Sequence, residues 1–413
     1  MAVVLNEGYS CTNKDKYLSR ADGCRVWDLQ GNSYVDMAMA GGSAILGHAD
    51  KSIVEAASSQ FAAGSLFTSP SSLAHQFCDV IAPYLAPLSE FVFSSTGSEA
   101  TLRAIRIARA ATGKEKIAIF SGCWHGSHDL LLVEDDPESD QQNPTAMLKS
   151  AGTTRDVLNQ VIVLPYNDPA AFTLIKEHAQ EIAMVFVEPT QGSNPRGDIK
   201  DFLFGLRKVC TENHVLLGFD EIITGGRLAL GGGKTYFGID PDIATFGKIY
   251  GGGLPLGLTA GTTEVMSCIR SENPVFLGGT FSANPISLVA GLCAIEQLSE
   301  RPEIYIELSR RASDFIAEIN GFVQAKGIGA HMMGVGSMFR LVLSSSTVSC
   351  RRERDRVEPE IDIQNTFYSN LRDAGVWIGT NRINFLSSSH DDAALGLAHE
   401  AYKSSLLRFA ADN

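Results

Sequence analysis

Basic residues are in deficit. Against 47 Asp and Glu the 413-residue chain sets 34 Lys and Arg, a formal net charge of -13. Nucleic acids and anionic membranes are bound through clustered Lys and Arg, so neither is expected as a partner. The chain also lacks an apolar run of bilayer length, and Met1-Ala2-Val3-Val4-Leu5-Asn6-Glu7 lacks the basic start and long apolar centre of a secretory signal, from which a cytoplasmic location is expected. The eight cysteines include no Cys-x-x-Cys pair. Neither a zinc site nor a disulfide framework is indicated, and most of the thiols are read as small core hydrophobes. Internal repeats and low-complexity tracts are absent, as is any Gly-x-x-x-x-Gly-Lys-Ser/Thr phosphate loop. Gly251-Gly252-Gly253 follows a lysine and precedes Leu254-Pro255 rather than opening a helix, so it fails as a dinucleotide fingerprint.

What is present is an ordinary globular composition, 44% hydrophobic and 20% charged, with material for a large core and two domains. The opening to about Asn13 has no readable period. Cys24 to Leu29 and Ser33 to Met37, separated by Gln30-Gly31-Asn32, alternate as a hairpin. Asp50 to Ala63 carries apolar residues at helical spacing, with Gly64 as a stop. The middle of the chain alternates short apolar runs with helical stretches, the pattern of an α/β domain with a mainly parallel sheet. The expected strands are Phe91–Ser94, Ile117–Phe120, Val161–Leu164, Met184–Val187, Val215–Phe219, Ile243–Phe246 and Leu256–Gly261. Glu134 to Asp156, rich in polar residues, reads as a long exposed loop, disordered or covering a site. After Asn284 a helical pattern runs to Leu298, breaks at Pro302 and resumes to Lys326. A second α/β lobe follows, with strands at Met338–Leu343 and Ile383–Leu386 and helices at Ile363–Asp373 and Asp391–Phe409. Arg351 to Arg356 interleaves both signs and reads as a solvated turn.

The chemistry centres on Lys248, which stands where the apolar run Ile243–Phe246 ends and three glycines and a proline follow. An ammonium stripped of water loses its proton more readily, and the neutral amine is a nucleophile able to form a Schiff base with a carbonyl. The bland alternative is a solvated strand-end lysine. Ser95-Thr96-Gly97-Ser98-Glu99-Ala100 lies between a strand and a helical run, where backbone amides and the helix dipole converge on an anion such as phosphate. Read structurally, the same residues are a helix N-cap. Trp124, in Gly122-Cys123-Trp124-His125-Gly126, can lie flat on a planar heterocycle or anchor a core, and His125 reads as a hydrogen-bonded structural histidine. Asp220 ends a buried strand and suits a pyridinium nitrogen, with Ile222 able to pack beneath the ring; a magnesium role for Asp220-Glu221 is the alternative. Glu188 is a further strand-end acid, able to orient the ring's neighbourhood or to be paired structurally. Thr280, in a glycine-led turn, is a possible anion contact.

In this order the motifs resemble the class III pyridoxal-phosphate-dependent aminotransferases, most closely their glutamate-1-semialdehyde 2,1-aminomutase branch. The matching stretches are Ser95–Ala100, Cys123–Gly126, Asp220–Gly225, Gly247–Gly253 and Gly279–Pro285, and the likeness extends from Arg20-Ala21-Asp22-Gly23 through Gly47-His48 to Phe385-Leu386-Ser387. The resemblance implies fold type I, a large domain at 61–289 with a mainly parallel sheet, and a small α/β domain built from 1–60 and 290–413. It implies pyridoxal 5'-phosphate as cofactor, Lys248 as the Schiff-base lysine and Asp220 as the pyridinium partner. Gly97, Ser98 and Thr96 would form the phosphate turn, and Trp124 would stack where the family usually places tyrosine or phenylalanine. Thr280 would reach the cofactor phosphate of the neighbouring subunit in a homodimer. The expected reaction moves an amino group from a small-molecule donor to a carbonyl acceptor by a ping-pong route. An aminomutase, a racemase and a non-catalytic binding protein of the same fold are the alternatives. Three departures bear on substrate. Residues 1–19 hold no arginine where aminomutases bind the substrate carboxylate. Asn381-Arg382-Ile383-Asn384-Phe385-Leu386-Ser387 puts an arginine where the family has an acid, and Arg382 reads either as the contact for an acidic group on the substrate or as a surface residue. Glu188-Pro189-Thr190-Gln191-Gly192-Ser193 lacks the second glutamate of ornithine and 4-aminobutyrate aminotransferases.

Overall fold

The computed structural model describes residues 17–412. The unpatterned opening through Asn13 lies outside the described residues. The chain divides into two compact units, one comprising Ser52–Tyr305 with Val348–Arg356, the other the residues before Ser52, Ile306–Thr347 and the residues from Val357 onward.

The larger unit is organised by a seven-stranded sheet in the spatial order Glu90–Ser94, Gly257–Gly261, Ile243–Gly247, Leu216–Asp220, Ile182–Val187, Lys116–Phe120, Val161–Leu164. Only Gly257–Gly261 runs antiparallel to its neighbours. The central strand Ile182–Val187 is buried at every position, which is why its sequence, Ile-Ala-Met-Val-Phe-Val, does not alternate. All seven expected strands form, each within two residues of its expected ends. Because these strands are parallel to one another, Ser94, Phe120, Val187, Asp220 and Gly247 all finish on one edge of the sheet, and the candidates Thr96, Gly97, Ser98, Trp124, Glu188, Asp220, Ile222 and Lys248 lie at or just beyond those ends.

The helix Gly97–Thr112 starts from a capping box. Thr96 Oγ1 accepts from the Glu99 amide at 3.2 Å, and the Glu99 carboxylate accepts from the Ser95 and Thr96 amides at 2.7 and 3.1 Å. It ends at Gly113, whose φ of 70° is the left-handed cap that glycine adopts without strain. A helix not anticipated from the sequence, Leu73–Leu85, buries Phe77, Ile81 and Leu85.

The second unit holds a four-stranded sheet of Leu18–Asp22, Arg25–Asp28, Ser33–Asp36 and Val376–Trp377, and a three-stranded one of His331–Val335, Met338–Val342 and Asn384–Phe385. The expected hairpin is present. Asp28 fixes its turn by accepting from the Gln30 and Asn32 amides at 2.9 and 2.8 Å. The helices Ile361–Asp373 and Asp392–Asp412 also form.

The two compact units divide at 51/52 and 305/306. The helix Pro285–Glu300 belongs to the larger unit because Gly291 lies so close to Tyr250 that a Cβ there would stand 2.0 Å from the Tyr250 carbonyl oxygen. The stretch from Glu134 to Asp156 is not a featureless loop. Val133–Asp135 pairs antiparallel with Ala146–Leu148, and a short 3₁₀ turn spans Arg155–Asn159. Nor is Arg351–Arg356 a solvated turn: it is the body of a helix, Arg351–Val357, with Arg352 and Arg354 buried. Arg352 lies 3.0 Å from an Asp135 oxygen and donates to the carbonyls of Asp136 and Ser139 at 3.0 and 2.7 Å. Arg354 donates to the Ser193 carbonyl and pairs with Asp355. The mixed signs that suggest solvation instead supply partners for burial, which sequence spacing alone does not distinguish.

Candidate active site

The buried strand Ile243–Gly247 passes directly into a single 3₁₀ turn, Lys248–Gly251. Lys248 takes φ +48° to make that change of direction, a left-handed conformation that costs a non-glycine residue about 1–2 kcal/mol. Gly252 permits the close packing behind it, since a Cβ there would stand 2.3 Å from the Ala290 carbonyl oxygen. Lys248 is half-buried. Burial, and then the positive charge of Arg227, bring its ammonium down to about 8, while the carboxylates of Glu188 and Asp220 pull the other way. The three sequence-predicted residues therefore share one electrostatic neighbourhood.

Asp220 is 4% exposed at the end of its strand. One oxygen meets His125 Nδ1 at 2.8 Å; the other accepts from the Ile222 amide at 3.1 Å, with Thr245 Oγ1 at 3.4 Å. His125 is in turn packed against Phe186, with ring centroids 4.6 Å apart. Thr101 Oγ1 holds the His125 carbonyl at 2.7 Å and meets His128 Nε2 at 3.2 Å. Burial, followed by the charge of His125, lowers His128 to about 4, which keeps its ring neutral near pH 7.

Glu188 ties two site segments together. Its carboxylate accepts from the Trp124 amide and the Gly192 amide, each at 3.1 Å. Burial raises its pKa; the charge of His125 opposes this and that of Asp220 reinforces it. Trp124 itself is 39% exposed, unusual for a large ring anchored at its backbone. Lys149 Nζ lies 5.0 Å from the centre of that ring.

Gly97, Gly247 and Ile222 converge. A Cβ at Gly97 would stand 3.0 Å from Ile222 Cδ1, and one at Gly247 3.2 Å from the same atom. Ile222 thus lies beside both the helix-start turn and the lysine turn. The capping box engages the amides of Ser95, Thr96 and Glu99 but not those of Gly97 and Ser98. The two readings of this stretch coexist: the cap shapes a helix start whose adjoining amides suit an anion. Ser98 Oγ accepts from the Ser127 amide at 3.1 Å, joining this turn to the Trp124 segment.

Thr280 is exposed, in a segment tethered by Arg103, which donates to Gly278 O at 3.2 Å and Ser282 Oγ at 3.0 Å. Arg382 belongs to the other unit, where it donates to Gln364 and, at 2.8 Å, to Asn365, with its guanidinium 5.0 Å over Tyr368. Sequence reasoning took His125 as structural without seeing that its partner is Asp220, and it missed Arg227 and Lys149. The spacing of His125 after a strand end hinted at the first; nothing local marks the other two. Among the described residues no His, Cys, Asp and Glu cluster could hold a metal. Glu221, the other half of the acidic pair, instead accepts from Thr224 and from the amides of Gly233 and Lys234, each at 2.7 Å.

A buried carboxylate, a half-buried amine, an exposed ring face and a helix-start turn fit pyridoxal phosphate in number and chemistry. The description "Aminotransferase class-III" matches residues 9–388. The chain is 35% identical over 402 residues to a glutamate-1-semialdehyde 2,1-aminomutase of Methanobrevibacter smithii, covering 94% of this chain and 91% of the relative. Its fold superposes on an omega-transaminase from Sphaerobacter thermophilus with a TM-score of 0.89 at 29% identity, over 96% of this chain and 91% of the other. A beta-phenylalanine aminotransferase from Variovorax paradoxus gives a TM-score of 0.82 at 27% identity, over 94% and 86%.

Proposed function

Since the chain belongs to the class-III aminotransferases, pyridoxal-phosphate enzymes of fold type I, we propose that it moves an amino group from a small-molecule amino donor to a keto acid or aldehyde in two half-reactions. The observation that carries this is the adjacency of two strand ends: Asp220 pairs in register with Thr245, three residues before Lys248, and Gly97 and Gly247 both close on Ile222. Pyridoxal phosphate, when bound, supplies an aldehyde carbon that accepts amines and a ring that withdraws electrons. Lys248 would hold that carbon through Nζ, and a neutral Nζ would also serve to move a proton at the substrate carbon. Asp220, held by His125 and the Ile222 amide, would be the carboxylate that faces the ring nitrogen. Trp124 and Ile222 would bracket the ring, and the amides of Gly97 and Ser98, at the turn Thr96 caps, would hold the phosphate. Glu188 fixes the backbone of Trp124.

A homodimer belongs to this reading. Thr280 lies between Phe276 and Phe281, which are 78% and 62% exposed, a surface suited to a second copy whose cofactor phosphate Thr280 would contact. Arg382 is assigned to an acidic group of the substrate. A cytoplasmic location accompanies the assignment, and among the described residues no helix is long and apolar enough to cross a membrane.

A second reading, transfer of nitrogen within one molecule as in a 2,1-aminomutase, is favoured by the name of the 35%-identical relative. Isotope-labelled amino donor separates the two. Label appearing in an added keto acid supports transfer between molecules; label retained in the donor skeleton, with no dependence on acceptor, refutes it.

A further inference from the structure

Beside the Trp124 segment, and wholly within the larger unit, lies a cavity of about 240 Å³ that the chemistry above does not use. Its walls are the strand-end turn through Gly122 and Cys123, the hairpin ending at Lys149, and the helix Arg351–Val357. Four cationic side chains line it, Lys149, Arg351, Arg352 and Arg356, against three carboxylates, Glu134, Asp135 and Asp355.

Those carboxylates are largely committed. Asp135 accepts from Ser121 Oγ at 2.5 Å and pairs with Arg352 at 3.0 Å. Asp355 is shared between Arg351 at 3.2 Å and Arg354, which lies behind the wall, at 2.5 Å. Glu134 stands 3.7 Å from Lys149 Nζ, beyond hydrogen-bonding distance. Arg356 donates to Gln141 Oε1 at 2.9 Å and the Pro137 carbonyl at 3.0 Å, neutral acceptors that orient its guanidinium without cancelling its charge. Positive charge therefore exceeds negative around a concave space large enough for one small anion, in a protein whose overall charge is -13.

We propose that this cavity is an anion-binding site for a single carboxylate or phosphate group, contacted by Lys149, Arg351 and Arg356. Occupancy draws the Lys149 ammonium toward the anion and away from the indole of Trp124, so filling the site alters the surroundings of the ring-stacking residue. The anion is either the acidic end of the substrate or a separate small anion, and only the first alternative rests on the function proposed above.

The test titrates the cofactor-loaded protein with succinate and, separately, with inorganic phosphate at constant ionic strength. Binding is followed by calorimetry and by the visible circular dichroism of the cofactor. Saturable binding is expected, weakened about tenfold or more in Arg356→Gln and in Lys149→Met, the loss that follows removal of one charged hydrogen bond. Lys149→Arg, which keeps the charge, should retain it. Succinate competing with the amino donor, together with a raised KM in Arg356→Gln for an acidic donor but not for an uncharged amine, identifies the substrate's acidic end as occupant. Phosphate binding unaffected by saturating donor identifies a separate anion. Absence of saturable binding, or equal affinity in folded Arg356→Gln and Lys149→Met, overturns the site. Because calorimetry needs no turnover, the site stands or falls independently of whether amino transfer is the reaction.

Discussion

Lys248 and Arg352 are cations withdrawn from water in the same unit, and their surroundings differ in kind. Arg352 is 7% exposed and enclosed by acceptors: a carboxylate oxygen of Asp135 and the carbonyls of Asp136 and Ser139. Lys248 feels a second cation, Arg227, in addition to burial, and these outweigh the carboxylates of Glu188 and Asp220, so its pKa falls to about 8. A buried charge surrounded by acceptors holds a structure in place; one pressed by burial and a like charge is prepared to lose its proton. The backbone makes the same distinction, since Lys248 occupies a left-handed turn that the glycines after it accommodate.

Removing one member of each arrangement should sharpen the contrast. Arg352→Met leaves Asp135 buried against no guanidinium, and denaturant titration should show about 3–5 kcal/mol of lost stability, with cofactor absorbance preserved in the folded fraction. Asp220→Asn should do the reverse: little change in the unfolding midpoint, but on the order of 10²–10³-fold slower turnover in steady-state assays, because the carboxylate proposed to face the ring nitrogen is replaced by an amide. If Arg352→Met abolished chemistry while leaving stability intact, the division between the two cations would fail.

A smaller effect concerns pH. With a depressed pKa the Lys248 amine is already neutral where an ordinary lysine, near 10.4, is still protonated. The rate at which cofactor-free protein takes up pyridoxal phosphate should therefore rise with pH, pass half its maximum at about 8 and level off above that. Stopped-flow absorbance checks this; a rise continuing to the ordinary lysine range would mean the amine is not perturbed.

Much of this was legible in the sequence because it is local. Apolar runs that end in Ser94, Val187, Asp220 or Gly247 mark parallel strands, and the residues after each lie on one edge as a matter of topology. Lys248, Asp220, Trp124 and the Thr96–Ser98 turn were each readable as the odd residue at such an end. What escaped was non-local. Arg352 looks solvated until its partners, more than two hundred residues earlier in the chain, are brought to it. The pairing of Val133–Asp135 with Ala146–Leu148 is hidden because strands of three residues carry too little alternation to register. Arg227 sits among glycines with no period, yet its charge acts on Lys248. The helix Pro285–Glu300 is apolar around much of its circumference, so its sequence does not disclose which unit it packs on.

Reduction of the cofactor-loaded protein with borohydride, followed by peptide mass spectrometry, fixes the added pyridoxyl mass to whichever amine carries the cofactor. The mass should fall on Lys248 alone. Recovery of the label on another lysine, with Lys248 unmodified, would contradict the account at its centre.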